Sequence, residues 1–262
     1  MTSLDGRVAV VTGGTAGVGR GIAGVLAEQG ARVFVTGRSV PEGGLGEGGI
    51  TGLRCDHRVD EEVIRAFERI VAEAGAIDIL VNNVWGGYER MVEDGVFTWS
   101  KPFWEQPLWR WDAMFQAGVR ASYLASQLAA RGMVARRIGL LVNISFWAAQ
   151  KHMGNAAYGV SKAATDKLTA DMAVELRSFG VTAVSLYPGL VRTEKVMQAA
   201  AWLDLSNSES PEFIGRAVAA LAGDPDVARF SGAVLVAASV AQEYGFTDID
   251  GKVPRALTLA DV

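Results

Sequence analysis

The sequence predicts an α/β fold, a single domain built on a doubly wound parallel sheet of about seven strands with helices on both faces. Three observations carry this reading. Short apolar runs rich in strand-forming residues recur along the chain, segments of helical character separate them, and the runs are continuous rather than alternating. Continuous apolar runs belong to strands covered on both faces, as in a parallel sheet. Segments of a dozen residues or more between them are what right-handed parallel crossovers need.

Each element follows in order. The first run is RVAVV from Arg7, then ARVFV from Ala31, GLRC from Gly52 and IDILV from Ile77. GLLVNI from Gly139, VTAVSLY from Val181 and AVLVAA from Ala233 complete the set. Between them, GIAGVLAEQG, DEEVIRAFERIVAEAG and SKAATDKLTADMAVELRSFG read as helices, each ending near glycine, the usual terminator. Two segments interrupt the rhythm. Residues 41 to 49 are too glycine-rich for the second crossover helix and read as a loop. Residues 84 to 111, VWGGYERMVEDGVFTWSKPFWEQPLWRW, are aromatic and proline-bearing and exceed an ordinary strand-to-helix connection. They leave the carboxyl end of a strand, where open α/β sheets bind ligands, and read as a pocket wall.

Composition narrows the partners. The 262 residues are 50% hydrophobic and 21% charged, with a formal net charge of −4 and no basic block, which argues against nucleic acid. Cys55 is the single cysteine, so no internal disulfide forms and a reducing compartment suits the chain. The start MTSLDGRVAVVTGG lacks the basic-then-apolar order of a signal peptide, and no apolar run reaches the ~18 residues of a membrane span. A cytoplasmic protein without membrane attachment is the expectation. No His, Cys and Asp cluster has metal-ligand spacing.

The motifs point to a dinucleotide. After the first run comes TGGTAGVGRG, with Gly13, Gly17 and Gly19. Such a loop allows a tight turn and close backbone approach to a diphosphate, which the following helix N-terminus favours. The second run ends Thr36, Gly37, Arg38. An acid there would accept from an adenosine ribose 2′-hydroxyl, whereas an arginine pairs with a 2′-phosphate. With the acid missing and Arg38 next in line, NADP(H) is preferred over NAD(H).

In AAYGVSKAA, Tyr158 and Lys162 stand four apart and share a helix face. That spacing serves equally an amphipathic helix and an acid/base pair. Together with TGGTAGVG, the NN of Asn82 and Asn83, NIS ending at Ser145, and Pro188–Gly189, it resembles the short-chain dehydrogenase/reductase superfamily from about Gly6 to Gly251, a Rossmann-type fold. The segments KPFWEQP, YGVSKAATDKL, SLYPGLVRTE and YGFTDIDGK are similar to a branch of NADPH-dependent reductases acting on bulky carbonyls.

The resemblance implies roles. Tyr158 would be the acid/base, Lys162 its pKa-lowering partner and a hold on the nicotinamide ribose, and Ser145 the donor to the substrate carbonyl. Gly13, Thr15, Gly17, Val18, Gly19, Arg38, Asp56 and Asn83 would line the cofactor. Pro188, Gly189, Val191 and Thr193 would meet its nicotinamide end, and hydride would pass on the B-type face. Trp85, Tyr88, Phe103, Trp104, Phe146 and Trp147 are candidate pocket walls. Gly118 falls where many relatives carry an asparagine of the proton relay; a kink there would free a backbone carbonyl instead. A homodimer or homotetramer is implied, joined through residues 107–131 and 156–179. A 3-oxoacyl-thioester reductase and a non-catalytic NADP-binding regulator stay open as alternatives.

Overall fold

β1 (Val8–Thr12) is buried at every residue and stands at the centre of the molecule. The computed structural model describes residues 3–41 and 49–262. The glycine-rich stretch read as a loop, residues 41 to 49, therefore lies outside the described residues except at its two ends. After β1 come α1 (Gly17–Glu28), β2 (Arg32–Gly37), β3 (Ile50–Arg54), α2 (Asp60–Ala74) and β4 (Ile79–Asn82). The excursion holds a short hairpin, β5 (Val92–Glu93) and β6 (Val96–Phe97), and then α3 (Leu108–Met114). A π-helical turn at Phe115–Arg120 leads into α4 (Ala121–Arg136), β7 (Gly139–Ile144), α5 (Ala156–Leu176) and β8 (Val181–Tyr187). The chain closes with α6 (Glu194–Gln198), α7 (Pro211–Ala222), β9 (Val234–Val236) and α8 (Ala237–Tyr244).

The main sheet has seven strands in the order β3-β2-β1-β4-β7-β8-β9, every neighbouring pair parallel. β1, β2 and β3 run outward one way, and the chain then crosses back to place β4 on the other side of β1. That reversal opens a crevice beyond the carboxyl ends of β1 and β4, which is where such sheets bind ligands. One predicted run is shorter than expected: β9 stops at Val236, and the alanines after it begin α8. Alanine favours helix once no further strand partner is available.

Two apolar cores flank the sheet. Ile22, Val25 and Leu26 of α1 pack with Phe213, Ile214 and Val218 of α7 on one face. Val63, Phe67 and Ile70 of α2 join Ala125, Met133 and Leu176 on the other. α1 and α7 approach backbone to backbone: a Cβ at Gly21 would stand 2.3 Å from the Pro211 carbonyl carbon. A polar ladder crosses the middle of the second core. Asn82 donates to Asn143 Oδ1 and Ser126 Oγ at 2.8 Å each, Asn143 donates to Thr169 at 2.7 Å, and Ser185 donates to the same Thr169 at 2.9 Å. Buried polar groups require such partners, so the ladder sets how β4, β7 and β8 stand against α4 and α5.

Candidate active site

The glycine loop after β1 makes a cradle with no room for side chains. Gly13 has φ +65°, and a Cβ on it would sit 2.9 Å from Val84 Cα; one on Gly19 would sit 2.4 Å from the Gly13 carbonyl oxygen. Asn83 holds this turn from the end of β4, donating to the carbonyls of Thr12 at 3.0 Å and Gly13 at 3.1 Å. Its amide is therefore committed to shaping the loop. Thr193 stands against Gly17, where a Cβ would meet its Cγ2 at 3.3 Å. Beside it, the Glu194 carboxylate accepts the Gly17 N–H at 3.1 Å and pairs with Arg20 at 2.5 Å. An anion is thus already held at the first turn of α1, the seat a diphosphate would take. Val18, in that same turn, packs against the core, and Val191 pairs with Glu209 in a single bridge. Gly189 donates its N–H to Glu209 at 2.7 Å, which fixes the Pro188–Gly189 turn.

From the glycine loop an open cleft of about 700 Å³ runs along the carboxyl edge, lined by Gly13, Thr15, Arg38, Asp56, Asn83, Trp85 and Glu89 among others. Arg38 follows β2 and makes an ion pair with Glu89 at 3.3 Å. Asp56 lines the cleft, but its carboxylate is gripped by Arg58, with Nε donating at 3.0 and 3.2 Å and Nη2 at 2.5 Å. That hydrogen-bonded pairing lowers its pKa to about 2. His57 is buried behind it, bonded through Nε2 to Thr36 Oγ1 at 2.8 Å. Burial lowers its pKa to about 4 and keeps the ring neutral. The glycine cradle, the carboxylate held at the first turn of α1 and the elongated cleft together fit a dinucleotide.

Ser145, Tyr158 and Lys162 do not line that cleft; they stand behind Trp85, which does, and whose ring meets both Tyr158 and Lys162. Ser145 follows β7, its N–H bound to the Leu186 carbonyl at 3.0 Å and its Oγ donating to the Lys162 carbonyl at 3.4 Å. Tyr158 lies in the first turn of α5, which Asn155 caps by accepting the Tyr158 N–H at 3.0 Å. Lys162 is one turn further on, its Nζ donating to the Ile144 carbonyl at 3.2 Å. All three side chains are buried.

Their electrostatics differ from the expectation that Lys162 lowers the Tyr158 pKa. Burial raises the Tyr158 pKa well above the usual phenol range, and neighbouring Tyr88 adds to the rise. Burial also pushes Lys162 down to about 7, while Asp166 pulls it back up. The reason is geometric: Nζ lies 3.8 Å from the centre of the Trp85 ring and 5.8 Å from that of Tyr158. In this arrangement the indole, not the phenol, faces the ammonium. Behind the site, Tyr187 donates to Asp166 and lies edge-on to Trp147 at 5.2 Å.

Aromatic rings enclose Tyr158. Their centroids lie at 5.4 Å for Trp99, 5.8 Å for Trp85, 6.1 Å for Tyr88 and 6.4 Å for Phe146. Trp85, Tyr88 and Phe146, candidate pocket walls in the sequence, lie around Tyr158; Trp99 was not singled out, because no spacing marks one tryptophan of the excursion over another. Three candidates stand elsewhere. Phe103 and Trp104 are 69% and 73% exposed and pack on each other at the outer surface, carried there by the turn after Pro102. Trp147 is buried against Tyr187, beneath the site rather than beside Tyr158.

The excursion owes its shape to Arg110, which is fully buried. Its guanidinium donates to the carbonyls of Thr98 at 3.2 Å and Arg90 at 2.9 Å, to Thr98 Oγ1 at 2.8 Å, and to Gln106. One side chain therefore satisfies acceptors from three places in the loop. Gly118 lies in the π-turn, so the helix deforms there as expected. Its carbonyl is not left free, however, since Ser122 Oγ donates to it at 2.7 Å. Trp85 fills the adjoining space: a Cβ at Gly118 would lie 2.6 Å from Trp85 Cζ3.

A parallel sheet with a glycine loop at its switch point and a buried Ser–Tyr–Lys group is the architecture of a dinucleotide-dependent oxidoreductase. The chain belongs to the short chain dehydrogenase family, whose profile matches residues 7–204. It is 41% identical to dehydrogenase/reductase SDR family member 1 of Mus musculus over 96% of this chain and 86% of that protein. The Homo sapiens protein of the same name is 39% identical, covering 99% and 88%. A 3-oxoacyl-[acyl-carrier-protein] reductase FabG of Vibrio harveyi is 33% identical over 73% of this chain and 76% of its own. Among solved structures, a short chain dehydrogenase/reductase family protein superposes with a TM-score of 0.73 at 32% identity, covering 90% of this chain and 97% of that one. Family membership carries with it an NAD(P)(H) cofactor and a small-molecule substrate. No helix among the described residues is long and apolar enough to cross a membrane.

Proposed function

We propose that this chain transfers hydride between NADP(H) and a bulky apolar ketone, aldehyde or secondary alcohol, with Tyr158 as acid/base. The observation that carries this is the enclosure of Tyr158 by Trp85, Tyr88, Trp99 and Phe146, which offers aromatic surface to whatever carbonyl meets the phenol. The nicotinamide, when bound, supplies or accepts the hydride. Buried and neutral, Tyr158 holds a proton it can give to a carbonyl oxygen as charge develops there. Ser145 Oγ is the second donor toward that oxygen. Lys162, whose pKa burial lowers to about 7, stands one turn beyond Tyr158 on α5 and would hold the nicotinamide ribose. In alcohol oxidation the phenol of Tyr158 would first have to give up its own proton, and the resulting phenolate would take the proton of the alcohol.

Arg38 supports the choice of NADP(H). It is the first residue past β2, it lines the cleft, and β2 itself offers no carboxylate to a ribose hydroxyl. A homodimer or homotetramer is supported by exposed Leu108, Trp111, Tyr123 and Val174 on α3, α4 and α5. A cytoplasmic setting is supported by the free, buried Cys55.

The test is NADPH consumption, with NADH as control, against aromatic, steroid, quinone and acyl-thioester carbonyls. We expect turnover with bulky ketones, and a loss of about 10²- to 10⁴-fold in Tyr158→Phe with cofactor binding kept. Wild-type turnover in Tyr158→Phe would remove Tyr158 from the chemistry. Turnover confined to acyl thioesters would move the substrate class to that of the relatives that carry the 3-oxoacyl reductase name.

A further inference from the structure

The second strand ends without an acid, yet the folded chain brings one to the same place. Glu89 reaches Arg38 from the excursion, 51 residues away in sequence. Its carboxylate is held at both oxygens: Oε1 accepts from Arg38 Nη2 at 3.3 Å, and Oε2 accepts the Gly87 N–H at 2.7 Å. The second bond matters because it aims the carboxylate from its own loop. Without Arg38, Glu89 would still point into the cleft.

The charges around this end of the cleft are balanced. Asp56 and Arg58 neutralise each other through their multiple hydrogen bonds. Arg38 is left facing Glu89. Arg90 and Asp112, one of each sign, also line the cleft. A 2′-phosphate arriving at Arg38 would share the guanidinium with the Glu89 carboxylate or replace it, with like charges repelling. A ribose 2′-hydroxyl would instead find in Glu89 the acceptor that dinucleotide folds commonly place at the end of the second strand.

We propose that Glu89 is the cofactor-discriminating acid of this protein, supplied by the excursion in place of β2, and that it opposes the 2′-phosphate on Arg38 while accepting a ribose hydroxyl of NAD(H). This rests on the reading of Arg38 given above. It makes selectivity a balance between two side chains that already touch. It also joins the adenosine end of the cleft to the chemistry, because Glu89 adjoins Tyr88, whose ring lies 6.1 Å from that of Tyr158.

The experiment uses ligands that cannot turn over. Dissociation constants of ADP-ribose and 2′-phospho-ADP-ribose are measured by calorimetry on wild type, Glu89→Gln, Arg38→Ala and the double variant. Glutamine keeps an oxygen for the Gly87 N–H and removes the charge. We expect Glu89→Gln to bind the phosphorylated ligand about three- to tenfold more tightly and ADP-ribose about threefold more weakly. Arg38→Ala should weaken only the phosphorylated ligand, and on that background the tightening by Glu89→Gln should shrink. If Glu89→Gln leaves the ratio of the two constants unchanged while Arg38→Ala alters it, the proposal is overturned and the reading of Arg38 stands. If neither variant moves the ratio, both fall together.

Discussion

Two segments leave the carboxyl edge of the sheet beside the site, and they are built on opposite principles. After β1 the glycine loop clears atoms away, so that even a methyl group at Gly13 or Gly19 would collide with backbone. After β4 the excursion does the reverse, filling the space over Tyr158 with Trp85, Tyr88 and Trp99 and tying itself together from within through Arg110. The contrast fits what the proposed function asks of each segment. A diphosphate is bound by backbone N–H groups and dipole, which need room and little else. An apolar substrate is bound by shape and buried area, which need bulk held in fixed positions.

The largest expected effect tests whether the excursion is held by one side chain. Arg110→Met strips the Arg90 carbonyl, the Thr98 hydroxyl and Gln106 Oε1 of the guanidinium, while the Thr98 carbonyl keeps Gln106 Nε2 and the Lys101 N–H, at a cost of roughly 3 kcal/mol. Limited proteolysis should then cut residues 84–111 first, with KM for a bulky ketone rising and cofactor affinity holding. Equal loss of cofactor binding would show that the two segments are not separate units.

Gly19→Val tests the other side of the contrast. Its Cβ would meet both the Gly13 carbonyl and Asn83 Nδ2 at 2.4 Å, and NADP affinity should fall about 10- to 100-fold in a fluorescence titration. Unchanged affinity would mean that the loop is not the seat of the diphosphate.

The smallest effect has the most telling sign. A glycine inside a helix usually gains up to about 1 kcal/mol on becoming alanine. Gly118→Ala should instead destabilise by about 1–2 kcal/mol in chemical unfolding, because Trp85 occupies the space its methyl needs. Adding Trp85→Phe should relieve much of that penalty. Stabilisation by Gly118→Ala alone would show that the indole is free to move and does not depend on the glycine.

Legibility in the sequence followed the same division. The strands, the crossover helices and the glycine loop could be read because each depends on neighbours in the chain: runs of apolar residues, period, a turn that tolerates no side chain. Tyr158 and Lys162 were legible as a pair because α5 sets their spacing, and Ser145 because it ends β7. Phe103 and Trp104 were placed in the pocket on residue type alone, and the turn after Pro102 sends them outward. Trp99 and Glu89 had no local mark, since what distinguishes them is a contact with Tyr158 and with Arg38. Asn83 was expected to approach the cofactor; its amide bonds to Thr12 and Gly13 show it holding the loop.

Resemblance to a family singled out Ser145, Tyr158 and Lys162; by itself the sequence determined the α/β class, the order of strands and helices along the chain and the glycine turn after β1. Those features rest on propensity, periodicity and backbone freedom, which are properties of short segments. Only the tertiary structure decided that Trp85 stands between Gly118 and Lys162, that burial rather than the lysine dominates the Tyr158 pKa, and that an acid from the excursion faces Arg38. Each of these is set by groups distant in the chain brought within a few ångströms, where desolvation and Coulomb terms grow large.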